Sequence, residues 1–178
     1  SEVDKIIKEI EDLLDEARKT NEKSSRDDKR LVEEVKELNK ESSERNKRLV
    51  KEAREKIRGD EMIEKVRRDS EELLKDDRRL IEEVKRRSEK TLKEDKELIE
   101  DLARKLKKLL DDLRKDLKDK RAEDKIRRIA KDAEDVLRTM EKTLRDNERE
   151  NREVLKELEK TLRENEKENE KVLRDLKR

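Results

Sequence analysis

Hydrophobic residues recur along this chain at α-helical spacing, and the recurrence itself repeats every 18 residues. Residues 143–160 read TLRDNERENREVLKELEK, and residues 161–178 read TLRENEKENEKVLRDLKR. Because this repeat equals five turns of a helix with about 3.6 residues per turn, the pattern stays on one face without the drift that a heptad repeat imposes. The pattern predicts long, nearly straight α-helices, each with one apolar stripe.

Two breaks divide the pattern into three helices. At the first, Gly59 suits the left-handed residue that follows a helix, and Asp60 is able to cap the next helix. The second break lies around residues 118–122, where the apolar phase changes without a glycine. The predicted helices cover about residues 2–58, 61–118 and 122–178, each about 57 residues and about 85 Å long. Short connections predict an all-α, up-down-up antiparallel three-helix bundle, a single elongated domain over residues 1–178.

Polar residues occupy many positions of the apolar stripes. The position that Ile10 fills in the first helix holds Asp28 and Asn46 one and two repeats later. Antiparallel packing places residues at one level when their numbers sum to about 119 for helices 1 and 2, and to about 241 for helices 2 and 3. The predicted buried polar network then joins Ser24 and Ser25 with Asp95 and Asn147, Ser42 and Ser43 with Asp77 and Asn165, Asn46 with Ser70 and Asn169, Asp28 with Thr91 and Asn151 (Ser88 one turn away), Asn21 with Thr143, and Asn39 with Thr161.

The rest of the stripe pattern is apolar on all three helices. The expected apolar block consists of Ile6, Ile7, Ile10, Leu13 and Leu14 level with Leu102, Leu106, Leu109, Leu110 and Leu113, together with Ile126, Ile129, Val136 and Leu137. Replacing a buried leucine by a smaller residue costs about 2–5 kcal/mol, and an unpaired buried polar group costs about 1–3 kcal/mol. A helix that slips by one repeat sets polar layers against this block. We therefore expect the polar layers to fix helix register and association specificity.

Composition narrows the range of functions. Charged residues make up 61% of the 178 residues and hydrophobic ones 28%, with no aromatic residue, His, Cys or Pro, and one Gly. The net charge is +1, with both signs interspersed, which argues against a nucleic-acid or membrane partner. No apolar run approaches the roughly 18 residues of a membrane span, no signal peptide is visible, and localisation stays open. The usual zinc ligand sets are excluded, and we expect neither a cofactor nor an enzymatic site.

The features together resemble de novo designed parametric helical bundles, which have straight helices with 18-residue repeats and buried hydrogen-bond networks. The resemblance covers the whole chain and is carried by the two repeats quoted above, the missing residue types and the lone turn glycine. It implies a designed structural scaffold without natural biochemical activity. It transfers no functional residue.

Three alternatives stay open at this point. The first is a designed binding module or switch that accepts a partner helix or self-associates through its polar layers, since an apolar stripe of roughly 120–140° also suits a four-helix core. The second is a natural charged single helix, which the Gly59 turn and the level-matched polar layers oppose, or a spectrin-like spacer, which the missing aromatic residues and the short repeat oppose. The third is a hard-cation site at Asp77 with Ser42 or at Asp28 with Thr91, against which stands an internal hydrogen-bond network.

Overall fold

The computed structural model describes residues 2–56, 59–115 and 120–176, and these form three α-helices. They are α1 (Glu2–Lys56), α2 (Asp60–Lys115) and α3 (Lys120–Leu176). The all-α, three-helix bundle predicted from the 18-residue repeat is confirmed. The helix ends predicted at residues 58, 118 and 178 lie outside the described residues, as do residues 118 and 119 of the second predicted turn. Residues 120–122 belong to α3, which begins two residues before the predicted start at residue 122.

Local sequence favours each of these helices. Acidic residues stand in the first turns of all three helices, such as Glu2 in α1 and Glu123 in α3, and Arg114 and Arg174 stand in the last turns of α2 and α3. These acidic residues face the partial positive charge of a helix N-terminus, and these arginines face the partial negative charge of a C-terminus, so both interactions are favourable. Proline is absent and the one glycine lies between helices, so no residue interrupts the backbone ladder.

Gly59 connects α1 to α2 in a conformation that few other residues adopt. Its φ angle is 106°, in the left-handed region predicted for this residue. The Ile63 N–H donates to the Gly59 carbonyl at 3.3 Å, which is the first backbone bond of α2. Asp60 is the first residue of α2, so the expectation that Asp60 caps this helix is corrected: the residue that precedes α2 is Gly59.

Packing divides the chain into two compact units. Unit 1 comprises Ser1–Lys29 and Lys90–Arg149, and unit 2 comprises Arg30–Glu89 and Glu150–Arg178. Each unit contains a segment of all three helices, and each has its own apolar core and its own buried polar side chains.

Unit 1 has a continuous apolar core that all three helices fill. Its buried side chains are Ile10, Leu14, Ala17, Ile99, Leu106, Leu113, Ile126, Ile129, Ala133, Val136 and Met140. The predicted apolar block lies within this cluster or packs against it.

Unit 2 has two smaller apolar clusters. The first consists of Val35, Ile81, Val84, Val154 and Leu158, and the second of Val50, Ala53, Val66 and Val172. Both clusters are built mainly from valine, which buries less apolar surface than the leucine and isoleucine of unit 1. Across the described parts of α1, α2 and α3, no stretch is long and apolar enough to cross a membrane.

Candidate functional site: the buried polar layers

In unit 1, one polar layer joins all three helices. The Ser24 hydroxyl of α1 donates to Asp95 Oδ2 of α2 at 2.7 Å, and Asn147 Nδ2 of α3 donates to Ser24 Oγ at 3.4 Å. In the alternative orientation of the Asn147 amide, its nitrogen donates to Asp28 Oδ2 at 3.3 Å and to the Thr143 carbonyl at 3.2 Å. In that orientation the Asn147 oxygen faces Ser24 instead, so the Ser24–Asp95 bond is the part of the layer that does not depend on the amide.

Unit 2 contains the same three residue types in the same order. The Ser42 hydroxyl donates to Asp77 Oδ2 at 2.7 Å, and Asn165 Nδ2 donates to Ser42 Oγ at 3.2 Å. Ser42 and Asp77 are each 2% exposed, whereas Ser24 and Asp95 are half-buried. Arg45 Nη2 is 3.7 Å from Asp77 Oδ1, close enough for an ion pair but too far for a hydrogen bond.

A second kind of layer in unit 2 pairs an asparagine of α3 with a serine of α2. Asn169 Nδ2 donates to Ser70 Oγ at 2.7 Å, and Asn151 Nδ2 donates to Ser88 Oγ at 2.8 Å. All four side chains are buried. Since asparagine of α3 is the donor in each of these pairs, the serine hydroxyl keeps its own proton for a further acceptor.

Burial sets the electrostatics of both aspartates. Burial raises the pKa of Asp77, while hydrogen bonds from Ser42 and Asn165 and the charge of Arg45 act in the opposite direction. Burial also raises the pKa of Asp95, and the Ser24 hydroxyl opposes that change. In both layers the loss of hydration outweighs the hydrogen bonds that favour the charged carboxylate.

Several buried oxygens of unit 2 accept no hydrogen bond. They are the side-chain Oδ1 atoms of Asn39, Asn46, Asp77, Asn151 and Asn169. The Asn46 amide nitrogen donates only over a long distance, 3.5 Å to Glu168 Oε2, and the Asn46 amide oxygen has no donor. A buried polar atom without a partner keeps the cost of lost hydration, so these layers are less favourable than their hydrogen bonds alone suggest.

Three threonines predicted for the network lie outside it. The Thr143 hydroxyl donates to the Thr139 carbonyl at 3.0 Å, and the Thr161 hydroxyl donates to the Glu157 carbonyl at 3.1 Å. A threonine within a helix reaches the carbonyl four residues earlier without any partner helix, which explains both bonds. Thr91 is exposed, because it stands at the edge of the α2 stripe rather than at its centre.

The remaining predicted residues differ in burial. Asp28 is buried, with 6% of its surface exposed. Asn21, Ser25, Asn39 and Ser43 are half-buried at the sides of the α1 stripe. The network is therefore narrower than the set of polar residues in the stripes, and the fully buried hydroxyls and amides carry most of it.

Charged residues beside the layers also form pairs between helices, which the apolar periodicity does not predict. In unit 2, Lys85 Nζ of α2 lies 2.9 Å from Glu159 Oε1 of α3, and Arg78 pairs with Glu166. Hydrogen bonds from both Arg87 guanidinium nitrogens reach Glu34 at 3.1 and 3.2 Å and lower the pKa of that carboxyl group. The numbering sums that matched the polar layers also place these charges at nearly the same level.

A metal centre finds no support in the ranges that the structure describes. No group of three or more His, Cys, Asp or Glu side chains there is arranged to hold a metal ion. At Asp77 and Ser42, the pair considered as oxygen ligands of a hard cation, the hydroxyl donates to the carboxylate, as the internal hydrogen-bond network requires.

The fold and its layers define a class of protein: a three-helix bundle with buried polar hydrogen bonds. No family model matches the chain, and no curated protein matches it. A solved structure described as a computationally designed three helix bundle is similar to it, with a TM-score of 0.75 and 22% sequence identity. The similarity covers 98% of this chain and 88% of that chain. At this identity the match shows the fold, and it confirms the resemblance to designed bundles at that level.

Proposed function

We propose that the chain is a designed structural scaffold without natural biochemical activity, in which the buried polar layers fix helix register and association specificity. One observation carries this proposal. The serine-to-aspartate hydrogen bond between α1 and α2 occurs in unit 1 at Ser24 and Asp95 and again in unit 2 at Ser42 and Asp77, with an asparagine of α3 beside each serine. A bond that recurs with the 18-residue repeat of the helices supports a role in packing, since a catalytic or ligand-binding site would need only one copy.

The layers oppose a slip of one repeat. In unit 1, Ile6, Leu113 and Ile129 stand one repeat away from Ser24, Asp95 and Asn147 on their helices. A shift of α1 by one repeat would set Ser24 against Leu113, or Asp95 against Ile6, depending on its direction. In the second direction Asp95 would lose its serine donor, at a cost of about 1–3 kcal/mol, whereas in the first Ser24 would lose its carboxylate acceptor and Asp95 would face Ser42. The apolar pattern alone imposes no such penalty, because its period survives the shift.

The test replaces polar residues by the apolar residues of the equivalent positions one repeat away. The variant carries Ser24→Ile, Ser25→Ile, Asp28→Ile, Asp95→Leu, Asn147→Ile and Asn151→Ala. We expect a higher melting temperature together with several associated species in size-exclusion chromatography with light scattering.

A matched control separates stability from specificity. Asp95→Asn alone removes the charge but keeps a polar side chain, so we expect it to be more stable than the parent and to remain a single species. If the six-residue variant forms one species of the same mass as the parent, the proposed role of the layers is wrong. If the parent itself binds an added helix or forms a defined dimer, the partner-helix alternative gains the support it lacks now.

A further inference from the structure

Within the ranges described, the fully buried side-chain oxygens that accept no hydrogen bond belong to unit 2. They are the Oδ1 atoms of residues 39, 46, 77, 151 and 169, of which that of Asp77 has a nearby charge, the Arg45 guanidinium at 3.7 Å. Such an atom gains water when the structure around it opens. Each one favours an open state by about 5- to 140-fold, the factor that corresponds to the usual cost of an unpaired polar group.

The apolar cores point in the same direction. Unit 1 buries its apolar side chains in one cluster, whereas unit 2 divides its own between two clusters in which valine predominates. A continuous core of larger apolar side chains loses more stabilising free energy when it opens, because more apolar surface becomes exposed to water. The two independent features, polar and apolar, therefore both weaken unit 2.

The chain itself provides the comparison that isolates this difference. Ile10, Leu106 and Ala133 form part of the buried core of unit 1. The residues 36 positions away on the same three helices, and buried in unit 2, are Asn46, Ser70 and Asn169. Two of these three carry an unpartnered oxygen. The same layer is thus apolar in unit 1 and polar in unit 2 two repeats away.

We propose that unit 2 opens as a cooperative unit while unit 1 stays folded. Opening hydrates the polar layers of residues 30–89 and 150–176 and breaks the helical hydrogen bonds of those segments together. This gives the bundle a built-in conformational transition below global unfolding, in the manner of the separately opening units that hydrogen exchange detects in other proteins. The inference is independent of the proposed scaffold function, because it concerns only relative stability.

Native-state hydrogen exchange of the full chain, resolved by residue at low denaturant concentration, tests the proposal. We expect the slowest amides of unit 2 to exchange at least about tenfold faster than the slowest amides of unit 1, with a smaller dependence on denaturant. Equal protection and equal denaturant dependence in both units would overturn it.

Two reciprocal variants make the test specific to the layers. Asn46→Ile, Ser70→Leu and Asn169→Ala copy the apolar layer of unit 1 into unit 2, and we expect the difference in exchange to shrink at least about tenfold. The reverse substitutions place the polar layer in unit 1 and should speed hydrogen exchange there. They are Ile10→Asn, Leu106→Ser and Ala133→Asn. If the first variant misassembles, the second still decides, because unchanged protection of unit 1 in that variant would overturn the proposal.

Discussion

Ser42 and Asp77 lie on different helices and share a 2.7 Å hydrogen bond in the buried interior of unit 2. Ser24 and Asp95 share a bond of the same length in unit 1, where both side chains are half-buried. One network thus occurs in two environments. Comparing the two copies separates the effect of burial from the effect of the hydrogen bond itself.

Replacing Asp77 by asparagine should stabilise the protein at neutral pH. The substitution removes a charge whose hydration is lost, while an amide oxygen still accepts the bond from Ser42. We expect the free energy of unfolding to rise by about 1–3 kcal/mol, measured by urea denaturation near about pH 7. Asp95→Asn is the matched control and should have a smaller effect, since that carboxylate is half-buried. A larger gain at Asp95, or a loss at Asp77, would contradict this account.

The same two aspartates predict how stability changes with pH. Their pKa values are raised above the ordinary value of about 3.8, so the folded state binds these protons more tightly than the unfolded state. Their stabilising contribution to the free energy of unfolding is full below that value, and it is lost as the pH rises through the pKa of the folded state. Glu34 and Asp101 act in the opposite sense, because their pKa values are lowered and their contribution is lost on acidification.

A difference measurement removes that opposing background. The double variant Asp77→Asn/Asp95→Asn should be more stable than the parent near about pH 7, and this advantage should shrink as the pH falls toward about 4. Urea denaturation of both proteins at several pH values measures it. An advantage that stays constant with pH would show that neither carboxyl group titrates in the way burial requires.

Removing the central hydroxyl should be more damaging than removing the charge. Ser42→Ala leaves Asp77 Oδ2 without a donor and Asn165 Nδ2 without an acceptor. We expect a loss of about 2–3 kcal/mol in the free energy of unfolding, and a smaller loss for Ser24→Ala. Combining Ser42→Ala with Asp77→Asn should recover part of the loss, because a neutral amide tolerates the missing donor better. Additive effects in this cycle would mean that the two residues do not interact.

The levels of the polar layers followed from the sequence, and their bonds did not. The 18-residue period sets the angle of each side chain around its helix, and the Gly59 turn sets its height, so the pairing of Ser42 with Asp77 was predictable. The side-chain torsions were not predictable. The hydroxyls of Thr143 and Thr161 can donate to a carbonyl oxygen of their own helix as well as to a partner on another helix, and they donate to the former. Arg45 approaches Asp77 from the side of the stripe, where periodicity assigns charges to solvent.

The connection between α1 and α2 allows a test of backbone conformation alone. A Cβ added at Gly59 would meet no atom within 4 Å, so a substitution there changes the φ preference without a steric clash. Since φ is 106°, Gly59→Ala should cost about 1–2 kcal/mol. Gly59→Asn should cost less, because asparagine enters the left-handed region more readily. Thermal unfolding of the three proteins measures the order, and an alanine variant as stable as the parent would show that this φ is not required.

The exposed pair of Arg87 and Glu34 should contribute little despite its bidentate geometry. The two bonds measure 3.1 and 3.2 Å, but each side chain is about half exposed. We expect a coupling free energy of about 0.2–1 kcal/mol from a cycle of Arg87→Gln and Glu34→Gln, falling further near about 1 M salt. Arg87→Lys keeps the charge but loses the paired geometry, so it should retain only part of the coupling.

The pKa of Glu34, followed by NMR, should return toward its ordinary range in Arg87→Gln, since the Arg87 hydrogen bond is the main cause that lowers it. A coupling above about 2 kcal/mol would instead place this pair among the interactions that hold α1 to α2.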